Sequence, residues 1–488
     1  MNENIDGWIN QSFEVIADIA ENIIFFSVDT GLETAAGAPI MVPLILLWLA
    51  SASIFFTLYF GFINFRYFKH SVAVACNKYD EPEADGQISS FQALATSLSG
   101  TVGLGNIAGV AVAITVGGPG AALWMVVMGL FSMSTKFIEV TLGVKYRHHN
   151  NPRDKSDISG GPMYYLRDAL NNRGIPHLGS VLAIFFAVAC VAGALGGGNM
   201  FQANQALEQF VSVTGGQDSW FAENGWVFGL GFSCMVGLVI IGGLKSIART
   251  ASSIVPFMAA LYLLAGFVIL GINFSAVPDA FMAIVTSAFS LEAGLGGFIG
   301  AILAGVQRAS FSNEAGLGSS AIIHATARTQ YPVRQGIAGM MGSFVDTVIV
   351  CTMTALIIVV SGLYQGSDGM AGVALTSAAM ADSVSWFPYL LVVCVILFAF
   401  STLITWYYYG EKSLTFICGE KWWVVFAFKI IFCLFVILGA AVDLENVVRF
   451  SDALLFAMAI PNIIGLYILA PEIKRDLKTY IRDTYKKS

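Results

Sequence analysis

The stretch S-L-S-G-T-V-G-L-G-N-I-A-G, residues 97–109, lies inside an apolar segment long enough to cross a bilayer. Gly100, Gly103, Gly105 and Gly109 weaken a helix there, and any backbone group they release needs a partner that hydrocarbon cannot supply. The stretch therefore predicts an unwound point lining a polar cavity. A second stretch, F-S-N-E-A-G-L-G-S-S at 311–320, has the same character, and its G-L-G-S echoes the G-L-G-N of 103–106. Two interrupted helices in corresponding positions are the sequence mark of a binding site at mid-membrane depth.

Working outward, 56% of the 488 residues are hydrophobic, 12% are charged and 50 are glycine, which excludes a soluble globular domain and predicts an all-α polytopic membrane protein. A net charge of −7 leaves no basic surface for nucleic acid. The seven cysteines form no C-x-x-C pair, so neither a disulfide framework nor a zinc site is expected, and the five histidines lack metal-ligand spacing. No phosphate-binding loop of the G-x-x-x-x-G-K-[ST] type occurs, no other cofactor is indicated, and nothing marks an obligate protein partner besides the lipid bilayer. The first 38 residues carry seven acids and no Lys or Arg, which speaks against a cleavable signal peptide and for an end facing away from the cytoplasm.

About eleven spans are expected, near 40–65, 89–116, 119–145, 178–210, 226–243, 250–272, 295–327, 335–361, 386–410, 421–441 and 448–470. An odd number puts the N-terminus outside and the C-terminus inside. Of the 25 Lys and Arg residues, 21 then fall in inside segments and Arg449 alone falls outside, the asymmetry that topology requires. Residues 1–39 form an outer segment, with 7–26 either an amphipathic interfacial helix or a loosely packed terminus. Residues 40–66 hold an extra first span, and 471–488 a basic tail read as solvated. The remaining ten spans divide into two inverted five-helix repeats, 89–272 and 295–470, each opening with its broken helix.

Three motifs, S-G-T-V-G-L-G-N-I-A-G at 99–109, G-G-P-G-A-A-L-W-M at 117–125 and R-A-S-F-S-N-E-A-G-L-G-S at 308–319, closely resemble the alanine or glycine:cation symporter family. The resemblance covers roughly residues 40–470 and departs at Leu123 and Ala309, where the family more often has an aromatic residue and a glycine. It implies the fold of the sodium-coupled leucine transporter, sodium-coupled uptake of alanine or glycine by alternating access, and a bacterial inner membrane. A proton-coupled transporter of the same fold is the alternative. An intramembrane enzyme or a channel is not supported, since neither paired catalytic groups nor a filter loop is present.

A zwitterionic amino acid needs donors for its carboxylate and acceptors for its ammonium, and broken helices supply both. At the first break the candidates are Gly103 with the N–H groups of Leu104 and Gly105 for the carboxylate, and the Thr101 carbonyl for a cation. At the second they are the Phe311 and Ser312 carbonyls, with Asn313 beside them. The likeness to sodium symporters implies Thr101 and Asn106 near one sodium and the Ser99 and Val102 carbonyls near another. It also implies hydroxyl ligands from Ser401 and Thr402, with Ser312 a further sodium ligand. On the long fourth span, Asn199, Gln202 and Gln205 form a polar stripe. Asn199 and Gln202 are substrate candidates, against helix-to-helix hydrogen bonding as the plain alternative.

Charges inside spans mark function by default, and here they are Lys136, Glu139, Arg308, Glu314, Asp346, Lys429 and Asp452. Lys136 and Glu139 are three apart on one helix and read as a structural pair. Arg308 and Glu314 flank the second break as a gate or brace. Asp346 is either a sodium ligand, a proton carrier or the partner of Arg308.

Overall fold

Apolar composition becomes helix almost throughout, because in hydrocarbon a chain must satisfy its backbone internally. The computed structural model describes residues 5–33, 37–79, 81–150, 153–155, 157–290, 294–365, 370 and 372–485. Glu3, Lys486 and Lys487, counted above among the terminal charges, lie outside them.

Helix α1 (Ile5–Ile24) leads through a two-stranded antiparallel ribbon, β1 (Ser27–Glu33) and β2 (Pro39–Pro43), into α2 (Leu44–Tyr59). The first broken helix comprises α3 (Ser90–Thr101) and α4 (Ala108–Gly117), followed by α5 (Gly120–Lys145) and the short α6 (Pro162–Asn171). Next come α7 (Pro176–Leu195) and α8 (Phe201–Val213), joined by a π-helical turn at Gly196–Met200, then α9 (Gly225–Ile240), α10 (Gly243–Ile272) and α11 (Val277–Phe289). The second broken helix is α12 (Gly294–Asn313) and α13 (Ser319–His324). The chain finishes with α14 (Pro332–Ser343), a π-helical stretch Phe344–Cys351, α15 (Thr352–Ser361), α16 (Gly372–Ser383), α17 (Phe387–Cys418), α18 (Trp422–Ala441), α19 (Leu444–Ala457) and α20 (Ala459–Tyr480). Among the described residues, seven helical stretches are long and apolar enough to cross a membrane, or eight if α3 and α4, bent by 59°, count as one.

The two broken helices lie antiparallel. Ile88, before the first, bridges Ala327, after the second, while at the far end a Cβ on Gly117 would sit 2.8 Å from the Ala304 Cβ of α12. Small residues permit such backbone approach.

The terminal segments differ from a loosely packed outer end and a solvated tail. Helix α1 packs on α19, with Phe13 edge-on to Phe450 at 4.6 Å and Phe25 edge-on to Phe456 at 5.6 Å between ring centroids. Helix α20 runs on through Pro471 with Ile473, Leu477 and Tyr480 buried, and its Glu472 pairs with Lys145 at 2.7 Å. One apolar face spaced i, i+4 and about i+7 explains why that basic end docks instead of standing in solvent.

Candidate functional site

Both breaks hand their backbone groups to side chains. At the first, α3 stops at Thr101, a 3₁₀ turn covers Leu104–Asn106, and the Gly103 N–H donates to Asn106 Oδ1 at 2.9 Å. The Leu104 N–H donates to Gln202 Oε1 at 3.1 Å, and Gln202 Nε2 donates in turn to the Gly197 carbonyl at 2.9 Å. At the second, Glu314, Gly316 and Gly318 take φ of 56°, 91° and 85°. The Gly316 N–H donates to Glu139 Oε1 at 2.8 Å, and Asn462 Nδ2 donates to the Gly316 carbonyl at 2.8 Å.

Between the breaks lies a cavity of about 10 Å3, room for one water molecule. Thr101 and Gly105 of the first break and Phe311 and Glu314 of the second line it, with Gln202, Trp406 and Leu455 closing the sides. The walls approach because the Gly196–Gly198 run has no side chains. A Cβ at Gly197 would lie 2.2 Å from Leu455 Cδ1, and one at Gly198 2.3 Å from Trp406 Cγ. Glu314 accepts from Trp406 Nε1 at 3.0 Å and from the Ser319 hydroxyl.

Beside the cavity, Asp346 is fully buried in the π-helical stretch. Its Oδ1 accepts from Asn106 Nδ2 at 2.6 Å, and its Oδ2 accepts from the hydroxyls of Ser312 at 2.7 Å and Thr347 at 2.8 Å. One carboxylate with the hydroxyl oxygens of Ser312 and Thr347 is the core of a hard-oxygen donor set suited to a small monovalent cation, while Asn106 of the first broken helix turns its amide nitrogen to the carboxylate and its Oδ1 to the Gly103 N–H. π-helical turns recur at functional sites, and this one widens the helix where Asp346 projects. A second oxygen cluster joins α3 to α17. The Ser99 carbonyl accepts from Thr402 Oγ1 at 3.0 Å and from Ser401 Oγ at 3.4 Å, while Ser99 Oγ donates to the Ser401 carbonyl at 2.7 Å.

Toward α1 a larger cavity of about 760 Å3 opens, lined among others by Glu21, Phe25, Gln307 and Arg449. Arg308 pairs with Asp452 on its floor, Gln307 Nε2 donates to Asp452 Oδ2 at 2.8 Å, and the Arg308 guanidinium lies 5.3 Å above the Phe311 ring. The Phe311 ring under this buried pair also lines the small cavity.

Of the sequence candidates, Thr101, Gly105, Gln202 and Phe311 line the small cavity, Asn106, Ser312 and Asp346 meet beside it, and Ser99, Ser401 and Thr402 form the second cluster. Gly103, Leu104 and Val102 are at the first break itself. Others are placed elsewhere. The Thr101 hydroxyl bonds back to the Ser97 carbonyl at 3.3 Å. Asn313 braces its own break, donating to Thr347 Oγ1 at 3.0 Å and accepting from the Ala315 N–H at 3.0 Å. Asn199 donates to the Phe432 carbonyl at 2.8 Å and Gln205 accepts from the Val373 N–H at 2.9 Å, so on that stripe only Gln202 faces the site. Arg308 partners Asp452 and not Asp346. Lys136 and Glu139 do not pair: Lys136 donates to Ser320 Oγ while Glu139 holds Gly316 and Asn462, because the second break, packed against α5, offers each a closer partner. Trp406, Leu455, Thr347 and the Gly196–Gly198 wall join the site from outside the sequence candidates. Of these only the glycine run carries a signal in the sequence.

Two broken helices enclosing a closed cavity, with oxygen clusters at its edge, define the architecture of a polytopic membrane transporter. Residues 28–488 match the family described as the sodium:alanine symporter family, and the chain belongs to it. It is 40% identical over 441 residues to the sodium/alanine symporter AgcS of Methanococcus maripaludis, covering 90% of this chain and 94% of that one. It is also 34% identical to the probable sodium/glutamine symporter GlnT of Bacillus subtilis, covering 90% and 88%. The fold is shared with MhsT, solved in complex with L-phenylalanine, at a TM-score of 0.57 and 13% identity over 79% of this chain and 89% of that one.

Proposed function

We propose that the chain imports a small neutral amino acid, alanine or glycine, together with sodium by alternating access. One observation carries the reading: the cavity between the two breaks is walled by Phe311, Trp406, Gln202 and Leu455 and holds about one water, so opening by a few ångströms admits only a small side chain. The carboxylate of the substrate goes to the first break and its ammonium to the Phe311 and Ser312 carbonyls, with Glu314 facing the same space. One sodium sits at Asp346, Asn106 and Ser312 with Thr101 adjacent, and a second at the Ser99 and Val102 carbonyls with Ser401 and Thr402.

In this reading the chain crosses a bacterial inner membrane eleven times as two inverted repeats after one extra helix, N-terminus outside. The antiparallel broken helices and the placement of basic residues support it. The Arg308–Asp452 pair then closes the outer path. The deciding experiment is uptake of labelled alanine and glycine into proteoliposomes under an inward sodium gradient, against potassium and against a pH gradient alone. Accumulation only with sodium is expected. Accumulation driven by the pH gradient instead would favour proton coupling through Asp346 or Glu314, the second reading, which rests on two buried carboxylates at the breaks.

A further inference from the structure

Two residues past the end of α5, Arg147 spreads its guanidinium over four backbone carbonyls and no carboxylate among the described residues. Nη1 donates to Ala325 at 3.2 Å and Ala327 at 2.8 Å, and Nη2 to Asp85 at 2.9 Å and Thr329 at 3.2 Å. Asp85 precedes the first broken helix, and the other three follow the second. These two segments are also zipped by their own backbones: Gln87 N–H to the Thr326 carbonyl at 2.7 Å, and Arg328 N–H to the Ile88 carbonyl at 2.8 Å. The seam admits no side chain, since a Cβ on Gly86 would stand 2.5 Å from the Arg328 nitrogen. Directly behind it Ser97 and Ser320 are buried and hydrogen-bonded at 3.1 Å, and the small cavity lies beyond.

We infer that Arg147 is the latch of the cytoplasmic door, a positioning residue that holds the inner ends of the two broken helices together. The inference rests on the alternating-access reading above. Its frame is fixed, because Lys145, two residues before, is anchored to Glu472 and Asp476 of α20. The latch therefore ties the ends of both broken helices to α5 and α20. The choice of carbonyls matters. A guanidinium carries five N–H groups in a planar fork and reaches four acceptors at once, whereas an ammonium with three rotatable donors cannot span them. Neutral acceptors also let water replace each bond as the seam parts, without stranding a counter-charge in a closing interior. The orphan carbonyls at the end of α13 are the groups a basic side chain satisfies best.

The test uses the full chain in inside-out and right-side-out vesicles, with Cys76, Cys234, Cys418 and the half-buried Cys433 replaced by alanine and Ser97→Cys as reporter for a membrane-impermeant maleimide. Arg147→Gln is expected to speed cytoplasmic-side labelling at least about tenfold, Arg147→Lys to fall between, and labelling from the outer side to stay unchanged. Gly86→Ala, which pries the same seam while leaving the arginine in place, is expected to speed it likewise. Labelling of Arg147→Gln and Gly86→Ala at the parent rate would overturn the latch, and so would equal acceleration from both sides, which would mean general loosening. Uptake of labelled alanine by the parent chain separates the two ideas. Faster labelling without parental uptake of alanine keeps the latch and removes alanine as the substrate, while parental uptake with unmoved labelling does the reverse.

Discussion

In the proposed reading, ion coupling turns on Asp346. A fully buried carboxylate persists in a membrane interior only with partners, and it has three polar ones, all neutral. Among the described residues no cationic side chain touches it, which suits a cation that comes and goes. Asp346→Asn keeps the shape and removes the charge, so half-saturation by sodium in proteoliposome uptake is expected to rise at least tenfold, about 1.4 kcal/mol. Full sodium dependence in the variant would remove the ligand role. Gln202 behaves differently from what its position on a polar stripe suggests. It bridges the Leu104 N–H and the Gly197 carbonyl, so Gln202→Ala leaves two buried groups unpaired, at about 1–3 kcal/mol each. Both the melting temperature and alanine uptake are expected to fall; an unchanged melting temperature would mean that water replaces the amide. Asp346 is legible as a candidate because a charge in an apolar run has few uses, and Asn106 only through the likeness of its motif to sodium symporters. Glu314 and Trp406 were not legible as partners, since nothing local links positions 92 apart that meet only through the packing of α17 on the second break.

At the scale of elements, the breaks follow from composition and their geometry follows from neighbours. The glycines announce that α3 cannot continue, while the path after Thr101 is set by α17, because a Cβ on Gly103 would lie 2.5 Å from Thr402 Oγ1. Gly103→Ala is therefore expected to abolish uptake even in protein that elutes as a single folded species, since the methyl displaces a hydroxyl of the second oxygen cluster. Uptake at parental rate would show that the break tolerates a shifted α17. Helix α1 poses a choice between two fasteners. Arg449 is partly exposed in its pairs with Asp18 and Glu21, whereas Phe450 is buried against Phe13. Exposed ion pairs contribute ~0–1 kcal/mol and a buried phenylalanine ~3–5 kcal/mol. Phe450→Ala should therefore raise hydrogen exchange along residues 5–24 far more than Arg449→Ala does; the opposite order would make the ion pairs the fastener. An acidic amphipathic segment was readable as a helix, but its seat on α19 depends on aromatic residues more than 400 positions away.

For the whole molecule, each of the eleven apolar stretches read from hydropathy contains helix, because helix is what hydrocarbon permits, but only seven helical stretches among the described residues, or eight with the bent pair, are long and apolar enough to cross a membrane, and the docking of residues 471–480 depends on a face the basic residues conceal. The same scale carries a consequence for energetics. The buried Lys, Arg, Asp and Glu side chains within the described spans are Lys136, Arg308 and Arg334 against Glu139, Glu314, Asp346 and Asp452, so the carboxylates outnumber the bases by one. The substrate, a zwitterion, brings no net charge to offset them. Cations entering with it do, and each carries its charge across the membrane, where ~2.3 kcal/mol per 100 mV is gained per charge on the way to a negative interior. Uptake of alanine should therefore be electrogenic. With equal sodium on both sides, an inside-negative potassium diffusion potential set with valinomycin is expected to drive accumulation above equilibrium, and reversing the potential to abolish it. Accumulation indifferent to the potential would mean that an equal positive charge leaves in each cycle, and the proton would be the ion to trace, from Asp346 or Glu314 back to the cytoplasm.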